Sequence, residues 1–281
     1  MGAGTEQMTA DLPQASGVGD LPAFGSRLWL YSNFSCNLAC DYCCAESSPR
    51  ASARELPVEV AARAVEEFAG LGGREILLTG GEPFLHPEIL KIVEALARFL
   101  PVTILTNAML LERGSRRGAL EAMDRSKVTM QVSLDSGTAA LHDLHRGSGS
   151  FDRAIAGIGL LRELGFAVKV AATIDEQDAD AEAGLHARLD AEGIPTEDRL
   201  VRRVAQTGFA DWGVSLGIDS LWPEPTLAVD GAWWHPVAVA DATMQVSSEP
   251  LPVVTTLAVI RATLNDPLRD RSAALEAFRC T

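Results

Sequence analysis

Long apolar runs are absent from this sequence of 281 residues, although 47% of its residues are hydrophobic. No stretch approaches the eighteen or more apolar residues that a membrane-spanning helix needs, so we expect no membrane partner. Residues 1–24 lack the basic start and the apolar centre of a secretory signal. We expect this segment to be a disordered lead-in to a cytoplasmic protein, whose apolar content suffices for one large core.

Basic residues are also few. The sequence has 24 lysines and arginines against 38 aspartates and glutamates, which gives a formal net charge of −14. Proteins that bind DNA or RNA need a basic surface, and an acidic protein repels phosphate groups. Nucleic acid is therefore not an expected partner.

Cysteine is scarce outside one short segment. Four of the five cysteines lie within residues 36–44, and the fifth is Cys280. This distribution argues against the disulfide framework of a secreted protein. The clustered cysteines are therefore expected to be reduced.

The cysteine segment carries the most informative motif. Cys36, Cys40 and Cys43 are spaced Cys-x3-Cys-x2-Cys, and Tyr42 directly precedes the third cysteine. Three thiolates on one loop are suited to bind three irons of a [4Fe–4S] cluster, because thiolates are the usual ligands of such clusters. The fourth iron then lacks a protein ligand, and an open coordination position is typical of a reactive metal site.

Two other interpretations of these cysteines remain. One is a structural zinc site that also uses Cys44, and the other is a set of reduced thiols without a metal. The zinc site is disfavoured because adjacent Cys43 and Cys44 diverge along the backbone. In addition, no second pair of ligands follows at zinc-finger distance.

A second motif follows a short apolar run at residues 75–79, which predicts a buried strand. The run ends in Gly80-Gly81-Glu82-Pro83. The glycines allow a ligand to approach the backbone, and the proline stops further strand pairing. An ordinary strand-ending turn is the alternative.

Polar side chains also end two later strands. Ser133 and Asp135 lie on one face of a predicted strand, because strand side chains alternate, and Asn107 ends the strand before it. Capping of loops is the alternative role for these three side chains. Residues 142–151 follow, with the order His-Asp-Leu-His-Arg-Gly-Ser-Gly-Ser-Phe, and Arg146 within them could instead form a surface ion pair.

The cysteine loop, the Gly-Gly-Glu-Pro turn and the run at residues 142–151 resemble the radical SAM superfamily. Within it they resemble the sulfatase-maturase-like and peptide-modifying members. The resemblance implies one [4Fe–4S] cluster on Cys36, Cys40 and Cys43, with S-adenosylmethionine bound at the open iron. It also implies reductive cleavage of this cofactor to a 5′-deoxyadenosyl radical that abstracts hydrogen from the substrate. A reductant such as flavodoxin or ferredoxin would supply the electron.

The resemblance further implies a role for each residue of the cofactor site. The turn binds the methionine amino group, Ser133 and Asp135 bind the ribose and the carboxylate, and Tyr42 packs against the adenine. Arg146 pairs with the carboxylate, for which a planar guanidinium is suited. The cofactor-binding residues implied in this way are Tyr42, Gly80, Gly81, Glu82, Pro83, Asn107, Ser133, Asp135 and Arg146.

Strands alternate with helices over most of the chain. Six such units predict a parallel sheet with right-handed crossovers, and each motif comes just after a strand, where ligand sites of parallel α/β proteins cluster. We predict an α/β fold, a partial (β/α)6 TIM-like barrel over residues 25–208. Residues 209–281 are predicted to be a small extension that caps the barrel, with a β-hairpin turning at Asp230-Gly231. Two helices are expected to complete it, at residues 255–264 and 272–278.

The extension departs from the pattern of many relatives, which carry a cysteine-rich SPASM or twitch segment with auxiliary clusters. Cys280 is the single cysteine of the C-terminal third, so we expect no auxiliary cluster, and sulfatase maturation is disfavoured. This third holds four of the five tryptophans. They either cover the barrel as core residues, or some of Trp222, Trp233, Trp234 and His235 line the substrate pocket.

The sequence therefore predicts a radical SAM enzyme that acts on a small metabolite or a peptide in a biosynthetic pathway. Its reaction type stays open among oxidoreductase, lyase and isomerase. The lead-in is too short for a leader-peptide recognition domain, which favours a small molecule. A non-catalytic iron–sulfur or zinc protein on a decayed barrel is disfavoured, because such a protein has no use for a cofactor pocket. A transferase of a SAM-derived group would use the same residues and stays open.

Overall fold

The computed structural model describes residues 25–112, 114–178 and 181–269. Nine strands form one sheet. In chain order they are β1 Arg27–Tyr31, β2 Glu75–Thr79, β3 Val102–Thr106, β4 Val128–Ser133, β5 Ala167–Ile174, β6 Arg199–Arg203, β7 Thr226–Ala228, β8 Gly231–Trp233 and β9 Gln245–Ser247. The helices are α1 Val58–Gly70, α2 Ile89–Ala97, α3 Ser115–Ala122, α4 Ala139–Arg146, α5 Ser150–Glu163, α6 Ala181–Ala191 and α7 Val253–Leu264.

The strand order across the sheet is β6-β5-β4-β3-β2-β1-β7-β8-β9. β1 to β6 are parallel to their neighbours, β7 pairs in parallel with β1, and β8 and β9 add antiparallel pairs. The sheet is not closed. The predicted α/β fold with a partial (β/α)6 barrel is therefore confirmed. The division at residues 208 and 209 stays a prediction, and the sheet is continuous across it.

The two faces of the sheet differ because side chains alternate along each strand. The outer face carries aliphatic side chains such as Leu30, Leu78 and Ile104, which are fully buried and pack against the helices. Burial of each such side chain stabilises the fold by about 1.5–3 kcal/mol. The inner face carries a mixture of aromatic and polar side chains, and a cavity lies there.

The segment after β6 builds a second apolar cluster with the end of β1. Trp233 and Trp234 are buried in it together with Trp29 and Tyr31. The Tyr31 hydroxyl donates to the carbonyl oxygen of Pro236 at 2.7 Å, which links β1 to this segment. Trp233 and Trp234 thus have the surroundings of core residues.

Several predicted boundaries agree with the structure. β2 begins and ends at the predicted residues, and the predicted hairpin joins β7 to β8, although Gly231 belongs to β8 rather than to the turn. The predicted lead-in, the helix at residues 272–278 and Cys280 lie outside the described residues. Every helix that the structure describes is too short or too polar to cross a membrane.

One helix, α4, was not predicted as an element. Its buried side chains are His142 and Arg146 rather than aliphatic residues. The apolar period that indicates a helix is therefore weak over this stretch. In α4, polar side chains that bind specific partners occupy the buried positions that aliphatic residues usually occupy.

Buried His235 gives a prediction about stability and pH. Its Nδ1 accepts a hydrogen bond from the backbone N–H of Val237, and burial, aided by the charge of Arg202, lowers the pKa of His235 to about 3. In the unfolded chain this pKa is about 6.5. Stability from the neutral imidazole is therefore complete above pH 6.5 and decreases as the pH falls towards 3.

We expect His235→Asn to reduce the loss of unfolding free energy between pH 6 and pH 5 by about 1.2 kcal/mol. An asparagine oxygen can still accept from Val237, but it does not titrate. Urea denaturation at pH 7, 6 and 5 measures the difference, with Leu268→Asn at a 93% exposed position as the control. Equal pH dependence in the variant and the parent chain would contradict the assignment.

Candidate active site

A cavity lies at the carboxyl ends of the parallel strands, on the inner face of the sheet. Its place is the usual one for ligand sites in parallel α/β folds. The lining combines the loop after β1, the ends of β2 to β6 and part of the C-terminal segment. Its polar and cysteine residues are Cys36, Cys40, Cys43, Cys44, Ser47, Thr79, Thr106, Asn107, Ser133, Arg146, Thr173 and Arg202.

Cys36, Cys40 and Cys43 share this cavity and are free thiols. Backbone N–H groups point at two of the sulfurs: Leu38 donates to Cys36 Sγ at 3.4 Å and Ser47 donates to Cys43 Sγ at 3.3 Å. Hydrogen bonds of this kind tune the ligand sulfurs of iron–sulfur clusters. The donor set of three thiols with nearby amides therefore fits a cluster.

The thiols of Cys36 and Cys40 are neutral without metal. Burial raises the pKa of Cys36 to about 12 and that of Cys40 to about 11. Metal ions must displace these protons, because the thiolate is the binding form. Among the described residues no three His, Cys, Asp or Glu side chains converge on one point as a single-ion site requires.

Asn107, at the end of β3, contacts the cysteine loop directly. Its Nδ2 lies 3.8 Å from Cys36 Sγ and donates to Asn37 Oδ1 at 2.9 Å. Its Oδ1 accepts from the backbone of Met109 at 3.0 Å, which fixes the amide orientation. The structure thus brings Asn107 to the predicted cluster site.

Gly80 and Gly81 line the cavity and also support the cysteine loop. A Cβ at Gly81 would lie 2.2 Å from the carbonyl oxygen of Ser35, one residue before Cys36. A Cβ at Gly80 would lie 2.6 Å from the carbonyl oxygen of Asn33. Two glycines are needed here because the end of β2 packs on the backbone that leads into the loop.

Glu82 points away from the cavity, and neither Glu82 nor Pro83 is among its described lining residues. The buried carboxylate of Glu82 accepts from the backbone of Asn107 at 2.9 Å and from the Thr106 hydroxyl at 2.9 Å. It also accepts from the backbone of Phe84 at 3.1 Å. Burial raises the pKa of Glu82, and these hydrogen bonds oppose the rise. The carboxylate joins the ends of β2 and β3.

Asp135 is buried just beyond β4 and is the centre of a polar network. Arg146 donates to it through two nitrogens: Nε to Oδ2, and Nη2 to Oδ1 at 3.1 Å. The Tyr42 hydroxyl donates to Oδ2, and the backbone of Thr173 donates to Oδ1 at 2.9 Å. Burial alone would raise the pKa of Asp135, but the charge and hydrogen bonds of Arg146, together with His142 and the backbone of Thr173, outweigh it and lower the pKa.

Ser133, Tyr42 and Arg146 line the cavity, whereas Asp135 stands behind them. The guanidinium carbon of Arg146 lies 5.6 Å from the centre of the Tyr42 ring. The ion pair of Arg146 is buried, since 9% of the residue is exposed, and is not the surface pair considered as an alternative. The tryptophans and the histidine proposed for the pocket, at 222 and 233–235, are not part of the described lining.

Sequence reasoning did not single out Arg202, Thr173 and Trp29, which also line the cavity. Arg202 and Thr173 are register partners on β6 and β5, and Arg202 Nε donates to Thr173 Oγ1 at 3.1 Å. A signal for Arg202 existed, because a basic residue at the carboxyl end of a predicted strand is unusual in an acidic chain. The alternation along β6 places it on the inner face.

The sequence profile of the radical SAM superfamily matches residues 31–176, just over half of the chain. The chain therefore belongs to the radical SAM superfamily, whose enzymes use a [4Fe–4S] cluster and S-adenosylmethionine as cofactors. The three thiols that share the cavity fit the first of these.

Curated relatives match the barrel part of the chain. An AdoMet-dependent heme synthase from Methanosarcina barkeri is 32% identical over 152 residues, which are 52% of this chain and 41% of that protein. The subtilosin biosynthesis protein AlbA of Bacillus subtilis is 33% identical over 147 residues, 51% of this chain and 32% of AlbA. The mycofactocin maturase MftC of Mycobacterium tuberculosis is 32% identical over 149 residues, 52% of this chain and 37% of MftC. The matches thus span less than half of each relative.

Solved structures are similar in fold. The anSMEcpe structure with bound AdoMet has a TM-score of 0.62 at 12% identity, covering 82% of this chain and 80% of that one. The structure of Streptococcus suis SuiB bound to S-adenosylmethionine has a TM-score of 0.57 at 21% identity, covering 69% of this chain and 44% of SuiB. At these identities the likeness concerns the fold alone.

The network at Asp135 generates a prediction about stability. Arg146→Met leaves a buried carboxylate without its cationic partner, so we expect a loss of about 3–5 kcal/mol of unfolding free energy. The double variant Asp135→Asn with Arg146→Met removes both charges and should recover part of that loss. Urea denaturation of the metal-free chain without oxygen measures all three proteins.

Arg153→Met is the matched control, because Arg153 is exposed on α5. It should change stability by less than about 0.5 kcal/mol. If Arg146→Met also stays below 1 kcal/mol, roughly the scale of a surface pair, the buried network is not a major source of stability.

Proposed function

We propose that this chain is the core of a radical SAM enzyme that cleaves S-adenosylmethionine reductively and abstracts a hydrogen atom from a small metabolite or a peptide. The single observation that carries the proposal is the sharing of one cavity by Cys36, Cys40 and Cys43 with the strand ends Gly80-Gly81 and Ser133. A metal-only protein would need the thiols but not the surrounding cavity. When bound, the two cofactors supply a 5′-deoxyadenosyl radical.

The chain's own residues would hold and orient these cofactors. Cys36, Cys40 and Cys43 bind three irons, and the backbone of Gly80 and Gly81 lies open to the methionine amino group. Further contacts to the cofactor come from the Ser133 hydroxyl, the Tyr42 ring and the Arg146 guanidinium, which all line the cavity.

Two buried carboxylates act as positioning residues in this proposal. Glu82 holds the backbone of Asn107, whose amide lies beside Cys36. Asp135 holds both Tyr42 and Arg146 at the cavity wall. Hydrogen bonds of this kind hold the side chains that contact a ligand in the geometry that catalysis requires.

The cavity also has an apolar wall, formed by Trp29, Tyr31, Leu38, Leu105 and Val237. An apolar wall excludes water, and a reactive intermediate has to be shielded from water and from side reactions. We propose that this wall confines the radical to the substrate. Residues 209–281, which contribute Val237, would then serve as the cap of the barrel.

The substrate remains a small molecule or a peptide in this proposal. The names of relatives do not decide between the two. AlbA is named for the biosynthesis of the bacteriocin subtilosin, and MftC for the maturation of mycofactocin. Heme synthase and GTP 3′,8-cyclase are named for small molecules. SuiB has been solved with the precursor peptide SuiA. A cytoplasmic setting and an electron donor such as flavodoxin or ferredoxin belong to the same proposal.

The test is anaerobic reconstitution with iron and sulfide, followed by dithionite and S-adenosylmethionine. We expect about four irons per chain and slow formation of 5′-deoxyadenosine, quantified by chromatography. S-adenosylhomocysteine as the product would indicate group transfer instead. Bound zinc without cleavage would contradict the proposal and support a non-catalytic protein.

The ligand assignment gives a separate prediction. Cys40→Ala should abolish cluster binding, because it removes one of three ligands, whereas Cys44→Ala should retain about four irons per chain. Iron and sulfide analysis together with the visible absorption of the cluster measures both. Cys44 is the matched control, since it lies in the same cavity. Loss of iron from Cys44→Ala would show that the wrong cysteines were assigned.

A further inference from the structure

We propose that the substrate carries a carboxylate attached to an apolar group, and that Arg202 binds this carboxylate with Thr173 beside it. The inference rests on the proposed function, because it concerns the substrate of the same cavity. Arg202 is the penultimate residue of β6, and its side chain runs along the inner face to the Thr173 hydroxyl at 3.1 Å. Both residues line the cavity.

The charges around the cavity favour an anion. Its described lining contains two charged side chains, Arg146 and Arg202, and no aspartate or glutamate. Arg146 is neutralised by Asp135. For Arg202, no carboxylate of the described residues lies within the 4 Å of an ion pair. A partly buried guanidinium is stabilised by an anion that it can contact with two nitrogens.

The groups that face Arg202 from other elements do not replace that anion. Its charge acts on Cys44 from the cysteine loop and on His235 and Glu224 from the C-terminal segment. His235 is neutral near pH 7, because burial lowers its pKa to about 3. The Glu224 carboxylate accepts from the indole nitrogen of Trp29. Arg202 is thus the charged side chain of the described lining at this end of the cavity, and none of these groups is its ion-pair partner.

The position of Arg202 assigns the anion to the substrate rather than to S-adenosylmethionine. The residues proposed for that cofactor come from the ends of β2 to β4 and from α4, whereas β6 is the edge strand, four places from β2 in the sheet. Arg202 is instead next to the side of the cavity formed by Ala205, Pro236 and Val237, with Trp29 and Tyr31 also in the wall. These apolar side chains fit the apolar body of the substrate.

The experiment uses the reconstituted enzyme with S-adenosylmethionine and two pairs of probes that differ in charge alone. Phenylacetate and phenylacetamide represent a small acid, and N-acetylphenylalanine and its amide represent the end of a peptide. Calorimetry without oxygen should show that at least one acid binds about tenfold more tightly than its amide. The pair with the larger preference identifies the source of the carboxylate.

Arg202→Gln should abolish the preference for the acid, because glutamine keeps polar atoms but not the charge. Arg203→Gln is the matched control: it removes the same charge from the next residue of β6, which is exposed, and should keep the preference. Equal affinity for acid and amide in the parent enzyme, or a preference that survives in Arg202→Gln, overturns the proposal. A tenfold weaker binding of S-adenosylmethionine in Arg202→Gln also overturns it, since Arg202 would then serve the cofactor.

Failure of the proposed function is separately visible. It appears as the absence of 5′-deoxyadenosine in the parent enzyme, whereas the carboxylate preference is a binding measurement. Iron content of Arg202→Gln, measured in parallel, confirms that the variant is loaded and folded.

Discussion

The carboxylate of Asp135 joins parts of the chain that are far apart in sequence. Through Arg146 it holds the last turn of α4, through Tyr42 it holds the cysteine loop, and through the backbone of Thr173 it holds β5. A charge buried in this way is costly unless every partner is present. The cost therefore favours one arrangement of the loop, the helix and the strand, and with it one shape of the cavity.

Glu82 likewise joins separate parts of the chain, at the ends of β2 and β3. Its carboxylate fixes the backbone of Asn107 and the hydroxyl of Thr106, and the two glycines before it leave room for the backbone at Ser35. The carboxylates of Glu82 and Asp135 thus bind groups of the protein rather than face the cavity. What faces the cavity is the set of groups they hold: backbone, an amide, a phenol and a guanidinium.

Much of the fold could be predicted, because β2, β3 and β5 are mostly apolar runs with clear ends. The site could be located, since its motifs follow successive parallel strands. The direction of the side chains could not be predicted. Glu82 binds Thr106, 24 residues away, and Asp135 binds Tyr42, 93 residues away. Sequence spacing does not specify which buried donors will be nearest. α4 escaped prediction for a related reason, because it buries a histidine and an arginine where the helical pattern requires aliphatic residues.

The pairing of β7 with β1 has a consequence for any shortened form of the chain. β1 leads directly into the cysteine loop, and its hydrogen bonds on one side go to β7 rather than to another barrel strand. A chain cut after β6 would leave that side of β1 bare. An uncovered, apolar strand edge recruits other strands and leads to aggregation. β7 thus covers one edge of β1, in addition to any part that the C-terminal segment has in the chemistry.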